Sequence, residues 1–204
     1  MKNLNIRLIS ITAALAVVTA MSVGAAAFTT TYARVSNHVV VSQPATIAAV
    51  TDAQIAAIVV AANTVDIKTG ELAQSKTKNP KVKEFADTMV RDHTAVNKAA
   101  VDLVTKLGVT PEENDTSRSL TSSGDQTREQ LRGLSGKEFD TAYIDNEVTY
   151  HELVIKAIDD TLIPNAQNAE LKALLIKVRP SFVTHLQHAE QLKASMAKEK
   201  SRKK

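Results

Sequence analysis

Apolar residues recur every three or four positions along four long segments of the chain, the spacing that places them on one face of an α-helix. These segments are residues 53–76, 80–107, 137–162 and 169–198. Polar and charged residues occupy the intervening positions, so each segment is predicted to be an amphipathic helix with a narrow apolar stripe. Four helices of this kind can bury their stripes against one another.

Residue types that are typical of helix ends border these segments. Thr51 and Asp52 precede the first helix, where residues of this type cap the free N–H groups. Asn79 is a suitable cap for the second helix, and Pro80 fits its first position. Pro180 lies inside the fourth helix and predicts a kink there, because the proline ring displaces a backbone hydrogen bond.

The two helix pairs are separated by a polar stretch. Residues 109–125 are rich in Ser and Thr and contain Pro111 and Gly124, so they predict a long connection. A short helix is expected over residues 126–134. The predicted fold class is therefore all-α: an up-down four-helix bundle with a short extra helix in the long connection.

The chain begins with the pattern of an export signal. Lys2 and Arg7 precede an apolar run over residues 8–18, and small residues follow up to residue 27. This pattern predicts a signal peptide over residues 1–27, with an uncleaved membrane anchor as the alternative. Residues 28–50 lack helical periodicity and are predicted to be a flexible linker before the bundle domain at 51–198, which a basic tail at 199–204 follows.

Composition excludes several classes of function. The chain has no Cys, so disulfides, thiol catalysis and Cys-ligated clusters are excluded. Aromatic residues make up only 3% of the chain and Trp is absent, which argues against nucleic-acid binding by base stacking. Without Lys2 and Arg7 the formal net charge of +3 falls to +1, so the mature domain carries no basic stripe for nucleic acid.

Three histidines fall on the apolar stripes of three different helices. They are His93, His151 and His185, and Asp66 lies close to the stripe of the remaining helix. The rise of the helix places all four at similar depth in a bundle, so they could meet in one layer. Asp92, next to His93, is a candidate acceptor for a histidine ring.

These positions predict a candidate metal centre formed by Asp66, Asp92, His93, His151 and His185. Glu147 or His188, each one helical turn from a candidate histidine, could complete it. A mononuclear zinc, copper or iron ion is the expected cofactor if one binds.

The alternative is a polar core without a metal. A buried histidine is often a hydrogen-bonded core residue, and Asp66 and Tyr143 could satisfy the three rings. A di-iron centre is not expected, because the chain lacks the Glu-x-x-His motifs that such bundles carry. It also lacks a Gly-rich phosphate loop, a G-x-S-x-G motif and an H-E-x-x-H motif, so no catalytic residue or small-molecule substrate is predicted.

Several motifs are similar to those of the domain-of-unknown-function 4142 family. They are D-I-x-x-G-E-L-A at 66–73, N-P-x-V-K-x-F-A-x-x-M-V-x-D-H at 79–93, F-D-x-x-Y-I at 139–144, H-E at 151–152 and P-x-x-x-x-H-L-x-x-A at 180–189. The resemblance extends over residues 51–196. It implies a ferritin-like helical bundle that bacteria export and whose activity is not established. The family positions that this chain matches are Asp66, Asp92, His93, Tyr143, His151 and His185.

Two classes of function follow from these observations. The first is a non-enzymatic exported protein of the bacterial envelope, with a role in binding or in the stress response. The second is a metal-binding or redox bundle. The expected location is periplasmic, secreted or associated with the outer membrane, and the expected contacts are an envelope protein or a membrane surface rather than nucleic acid.

Overall fold

Residues 50–202, the part of the chain that the computed structural model describes, form helices and connecting turns without any strand. The all-α helical bundle predicted from the apolar stripes is confirmed. The predicted signal peptide and all of the predicted linker except Val50 lie outside the described residues. The helices are α1 (Asp52–Lys76), α2 (Pro80–Lys106), α3 (Asp115–Arg132), α4 (Gly136–Ala157), α5 (Ile163–Asn165) and α6 (Ala169–Arg202).

The first two helices begin where their capping residues predict. Thr51 accepts a hydrogen bond from the Gln54 N–H at 3.2 Å, and the Gln54 side chain accepts one from the Thr51 N–H at 3.2 Å. This reciprocal capping box satisfies two N–H groups at the start of α1. Asn79 accepts from the Lys81 N–H at 3.1 Å, and Pro80 occupies the first position of α2.

Two predicted segments are wrong in their bounds: the connection over residues 109–125 and the short helix over 126–134. A single helix of 18 residues, α3, occupies most of both. Asn114 and Ser117 form its capping box, with the Ser117 N–H donating to the Asn114 side chain at 2.9 Å. Gly124 lies in the middle of α3, where a Cβ atom would stand only 2.7 Å from the methyl groups of Val65 on α1. The glycine therefore permits a close helix contact and does not mark a turn.

The helical backbone continues through two prolines, Pro164 and Pro180. The backbone before Pro164 widens into a π-helical segment, Ile158–Leu162, in which the Ile163 N–H bonds to the Ile158 carbonyl. The backbone then stays helical through α5, which ends at Asn165, one residue beyond Pro164. At the other site, α6 continues through Pro180 as one helix and extends to Arg202, into the predicted basic tail.

The bundle core consists of two apolar clusters. One contains residues from the start of α1 and α6, including Ile55, Ile58 and Leu175. The other contains residues from the opposite end of the bundle, including Phe85 and Tyr143. On each of α1, α2, α4 and α6, buried polar residues come between the positions that belong to the two clusters. The core is therefore interrupted by one polar layer.

None of the helices in the described part of the chain has an apolar stretch long enough to cross a membrane.

We expect Gly124→Ala to destabilise the domain. Alanine favours a helix over glycine by about 1 kcal/mol, but overpacking typically costs about 1–3 kcal/mol, and the new Cβ would collide with the branched side chain of Val65. The free energy of unfolding in urea should fall by roughly 1 kcal/mol, because the steric cost exceeds the gain in propensity. Gly133→Ala is the control, since its nearest neighbour would be a carbonyl oxygen at 3.5 Å. Equal stability of the two variants would contradict close packing of α3 on α1.

Candidate metal centre

The polar layer brings together side chains from four helices. Asp66 comes from α1, His93 from α2, Glu147 and His151 from α4, and His185 from α6. All five residues are buried, with His185 the most accessible at 5% and His151 at 0%. The layer lies where the apolar stripes of the sequence placed the three histidines and Asp66.

The orientation of His93 is fixed by Asn63. The Asn63 side-chain NH₂ donates to the Val59 carbonyl at 2.8 Å, so its oxygen faces the Nδ1 atom of His93, also at 2.8 Å. Rotating the Asn63 amide by half a turn would place its oxygen against the Val59 carbonyl oxygen, so the amide oxygen must face His93. An amide oxygen only accepts, and Nδ1 therefore carries the proton. The Nε2 atom of a neutral His93 is left with a lone pair that points into the layer.

His151 and His185 are held in the same manner by other acceptors. The Nδ1 atom of His151 donates to the backbone carbonyl of Glu147 at 3.0 Å. The Nε2 atom of His185 donates to the carboxylate of Asp92 at 3.0 Å. Within the described residues, the second nitrogen of each ring, Nε2 of His151 and Nδ1 of His185, is buried and has no hydrogen-bond partner. A ring nitrogen that is free while the other donates to an oxygen is the usual state of a metal-binding histidine.

Asp66 faces two of these lone pairs. Its Oδ2 atom lies 3.0 Å from Nε2 of His93 and 3.5 Å from Nε2 of His151. Neither contact has the geometry of a hydrogen bond, and both oxygens of Asp66 lack a partner among residues 50–202. Carboxylate oxygens and imidazole lone pairs repel one another, so this arrangement requires a proton or a cation between them.

The potential ligand atoms form two overlapping groups. One atom each from His93, His151 and His185 lie within 4.8 Å of one another, and so do one atom each from Asp66, Glu147 and His151. His151 belongs to both groups. A metal ion near His151 would therefore be within reach of three imidazoles and two carboxyl groups.

Two other residues considered from the sequence lie outside this inward group. Asp92 was predicted as a candidate ligand, but in the structure its carboxylate lies behind His185 and accepts from that ring and from Arg91, at 3.0 and 2.7 Å. It takes the role of acceptor that its position suggested. The ring of His188 packs edge-on against Phe85, with 5.2 Å between the ring centres.

Sequence reasoning missed the role of Asn63. This residue precedes Asp66 by three positions, so it lies on the same face of α1. Asn63 is 1% exposed, and an amide inside a core needs a specific partner. An Asn at this spacing from Asp66 is therefore the signal that could have identified its role. Tyr143 was considered as a partner for a histidine, but its hydroxyl makes no hydrogen bond within the described part of the chain.

Burial disfavours the charged form of four groups in the layer: Asp66, His93, Glu147 and His151. It lowers the pKa of His93 to about 3 and that of His151 to about 4, although Asp66 opposes the shift of His151. It raises the pKa of Asp66 and, together with the nearby Asp66 carboxylate, raises the pKa of Glu147 well above its ordinary value. A bound cation would reverse this effect for the acids, because its charge stabilises their ionised form beside the neutral imidazoles.

Comparison with known proteins places the fold among uncharacterised families. The family described as "Domain of unknown function (DUF4142)" matches residues 39–192. A solved structure titled "Crystal structure of putative secreted protein DUF305 from Streptomyces coelicolor" is similar, with a TM-score of 0.61 and 12% identity, over 71% of this chain and 92% of that chain. This likeness concerns the fold alone. None of the curated proteins matches the chain.

We expect His151→Gln to reduce the loss of stability in acid. The pKa of His151 is about 4 when folded and about 6.5 in an unfolded chain. The stability that its neutral burial contributes is complete above pH 6.5 and is lost as the pH falls toward 4, because the unfolded chain then binds an additional proton.

The measurement is urea unfolding at pH 7.5 and 5.5 with a chelator present. Asp66 and Glu147 shift in the opposite direction and change stability with the opposite sign, but they are present in both proteins. The free energy that the wild type loses between the two pH values should therefore exceed the variant's loss by about 1.4 kcal/mol. The same pH dependence in both proteins would mean that the pKa of His151 is equal in the folded and unfolded states, so that burial does not keep the ring neutral.

Proposed function

We propose that this chain, which belongs to the DUF4142 family, binds one first-row transition-metal ion in the polar layer of its bundle. The proposed ligands are Asp66, His93, His151 and His185. Glu147 supplies an additional carboxyl group, with a potential ligand atom within 4.8 Å of those of Asp66 and His151. One observation carries the proposal: all three rings donate one N–H outward to an oxygen and present the other nitrogen, without a partner among the described residues, to the interior.

A purely hydrogen-bonded core accounts less well for this arrangement. Such a core pairs its buried polar atoms, and an unpaired one costs about 1–3 kcal/mol. Within residues 50–202, unpaired atoms occur on all five inward residues, from both Asp66 oxygens to one nitrogen of each histidine. Their concentration in one layer is explained if a single ion contacts several of them at once.

The donor set favours a borderline metal. Imidazole nitrogen suits zinc, iron and copper, while carboxylate oxygen favours harder ions over Cu(I). The sequence offers no thiolate. We therefore propose Fe(II) or Zn(II) as the resident ion, in preference to copper.

The ion would act first as a link between helices. Its proposed ligands come from α1, α2, α4 and α6, so one ion would connect all four helices. Any ligand that binds only the folded state stabilises it, by about 2.7 kcal/mol at 100 times its dissociation constant. The domain would then be a metal-stabilised binding protein.

We also propose that the protein is exported. The signal pattern over residues 1–27 supports this location, and the similar Streptomyces coelicolor protein carries the description "putative secreted protein". A role in the bacterial envelope, through binding rather than catalysis, is compatible with both proposals.

The metal content of tag-free protein from the periplasm tests the proposal. We expect about one Fe or Zn ion per chain in the wild type, as expected for a single mononuclear centre. His93→Gln and Asp66→Asn should each lose most of the metal, because each removes a proposed ligand. The loss of a protein ligand should also lower the rise in melting temperature that added metal produces.

His188→Gln is the matched control. His188 is a histidine of the same bundle that packs against Phe85 outside the proposed ligand set, so its substitution should leave the metal content unchanged. Far-UV circular dichroism establishes that each variant is folded. A folded His93→Gln variant with the metal content of the wild type would overturn the proposal.

A further inference from the structure

Asp92 and His185 connect the polar layer to the surface of the bundle. On α2, the side chain of Arg91 is 69% exposed and that of Asp92 is 31% exposed, whereas the side chain of His185 is only 6% exposed. His93 and Asp66, deeper in the layer, are exposed by 1% and 0%. Accessibility therefore falls stepwise from Arg91 through Asp92 and His185 to His93 and Asp66.

The two ring nitrogens of His185 lie on opposite sides of the ring, one toward the surface and one toward the interior. Its Nε2 atom faces outward and donates to Asp92 at 3.0 Å. Its Nδ1 atom is buried and has no hydrogen-bond partner in the described part of the chain. One ring thus joins a carboxylate at the surface to the interior of the bundle.

The sides of the layer that face α1 are closed by close packing. Between α1 and α4, the Tyr150 hydroxyl donates to the Ala62 carbonyl at 2.7 Å. Between α1 and α2, a Cβ atom at Gly70 would stand 2.9 Å from a methyl group of Val90, so the helices touch there. A cation reaching the layer past α1 would have to separate these contacts.

We propose that Asp92 captures a divalent transition-metal cation at the surface and that His185 carries it into the centre. This inference rests on the metal function proposed above and assigns Asp92 to the uptake of the ion. Asp92 supplies the negative charge that attracts the cation. The ring of His185 keeps its proton on Nε2, toward Asp92, and offers the lone pair of its inward Nδ1 atom to the ion. Arg91, which donates to Asp92 at 2.7 Å, covers the entrance and must move away.

Uptake and positioning have different kinetic signatures. If Asp92 only holds the His185 ring in place, its substitution loosens the bound ion, so the release rate rises and the uptake rate is unchanged. If Asp92 captures the ion, its substitution slows uptake and does not accelerate release. Charges that steer a ligand typically change association rates by about 10- to 1,000-fold.

The experiment uses stopped-flow absorbance with Co(II), whose visible spectrum changes when it enters a histidine site. Release is followed by adding an excess of chelator to the loaded protein. For Asp92→Asn, in which the amide oxygen can still accept from His185, we expect uptake about tenfold slower and release no faster than in the wild type. For Arg91→Gln we expect uptake about threefold faster, because a competing cation is removed from the entrance.

Asp102→Asn is the control for a lost surface charge. Asp102 also lies on α2, is exposed and is paired with Lys98, so both rates should equal those of the wild type. Wild-type uptake in Asp92→Asn, or unchanged uptake with faster release, would overturn the entry route and leave the metal function standing. Slower uptake in Arg91→Gln would likewise overturn it. A wild type that takes up no Co(II) and contains no metal would overturn both proposals.

Discussion

The structure depends on a layer of imidazoles and carboxylates enclosed in an apolar core. Moving such groups out of water is costly unless each polar atom finds a partner. In this bundle the outward atoms have partners: Asn63 for His93, the Glu147 carbonyl for His151 and Asp92 for His185. The inward atoms face one another, so one cation can balance the electrostatics of the entire layer.

The two apolar clusters give this layer its rigidity and its low polarity. Phe182 of one cluster packs against His93 with ring centres 5.0 Å apart, and Tyr143 of the other packs against Phe85 at 6.1 Å. Aromatic contacts of this kind limit the movement of the rings. A surrounding of low dielectric constant also strengthens the attraction between a cation and its carboxylates. The same enclosure leaves the Asp92 side chain at the edge 31% exposed, whereas that of Asp66 is fully buried.

The apolar stripes were sufficient to predict the four long helices and the depth at which Asp66, His93, His151 and His185 meet, because helical rise converts sequence spacing into height. They predicted only the second part of α3 and could not predict where it begins, because its contact with α1 depends on the absence of a side chain at Gly124 rather than on an apolar face. The role of Asn63 was missed for a related reason, because the packing of the helices decides which side chain accepts from a buried histidine. Asp92 was recognised as a candidate, but which ring it holds depends on how α2 and α6 pack.

The most direct test of the metal centre is X-ray absorption at the metal edge on tag-free, metal-loaded protein. We predict a first shell of three imidazole nitrogens and one or two carboxylate oxygens at about 2.0–2.2 Å, the distances usual for zinc with these ligands. The multiple scattering of imidazole rings distinguishes them from water and carboxylate. A shell of oxygen atoms alone, without imidazole scattering, would place the ion at the protein surface and contradict a centre built from His93, His151 and His185.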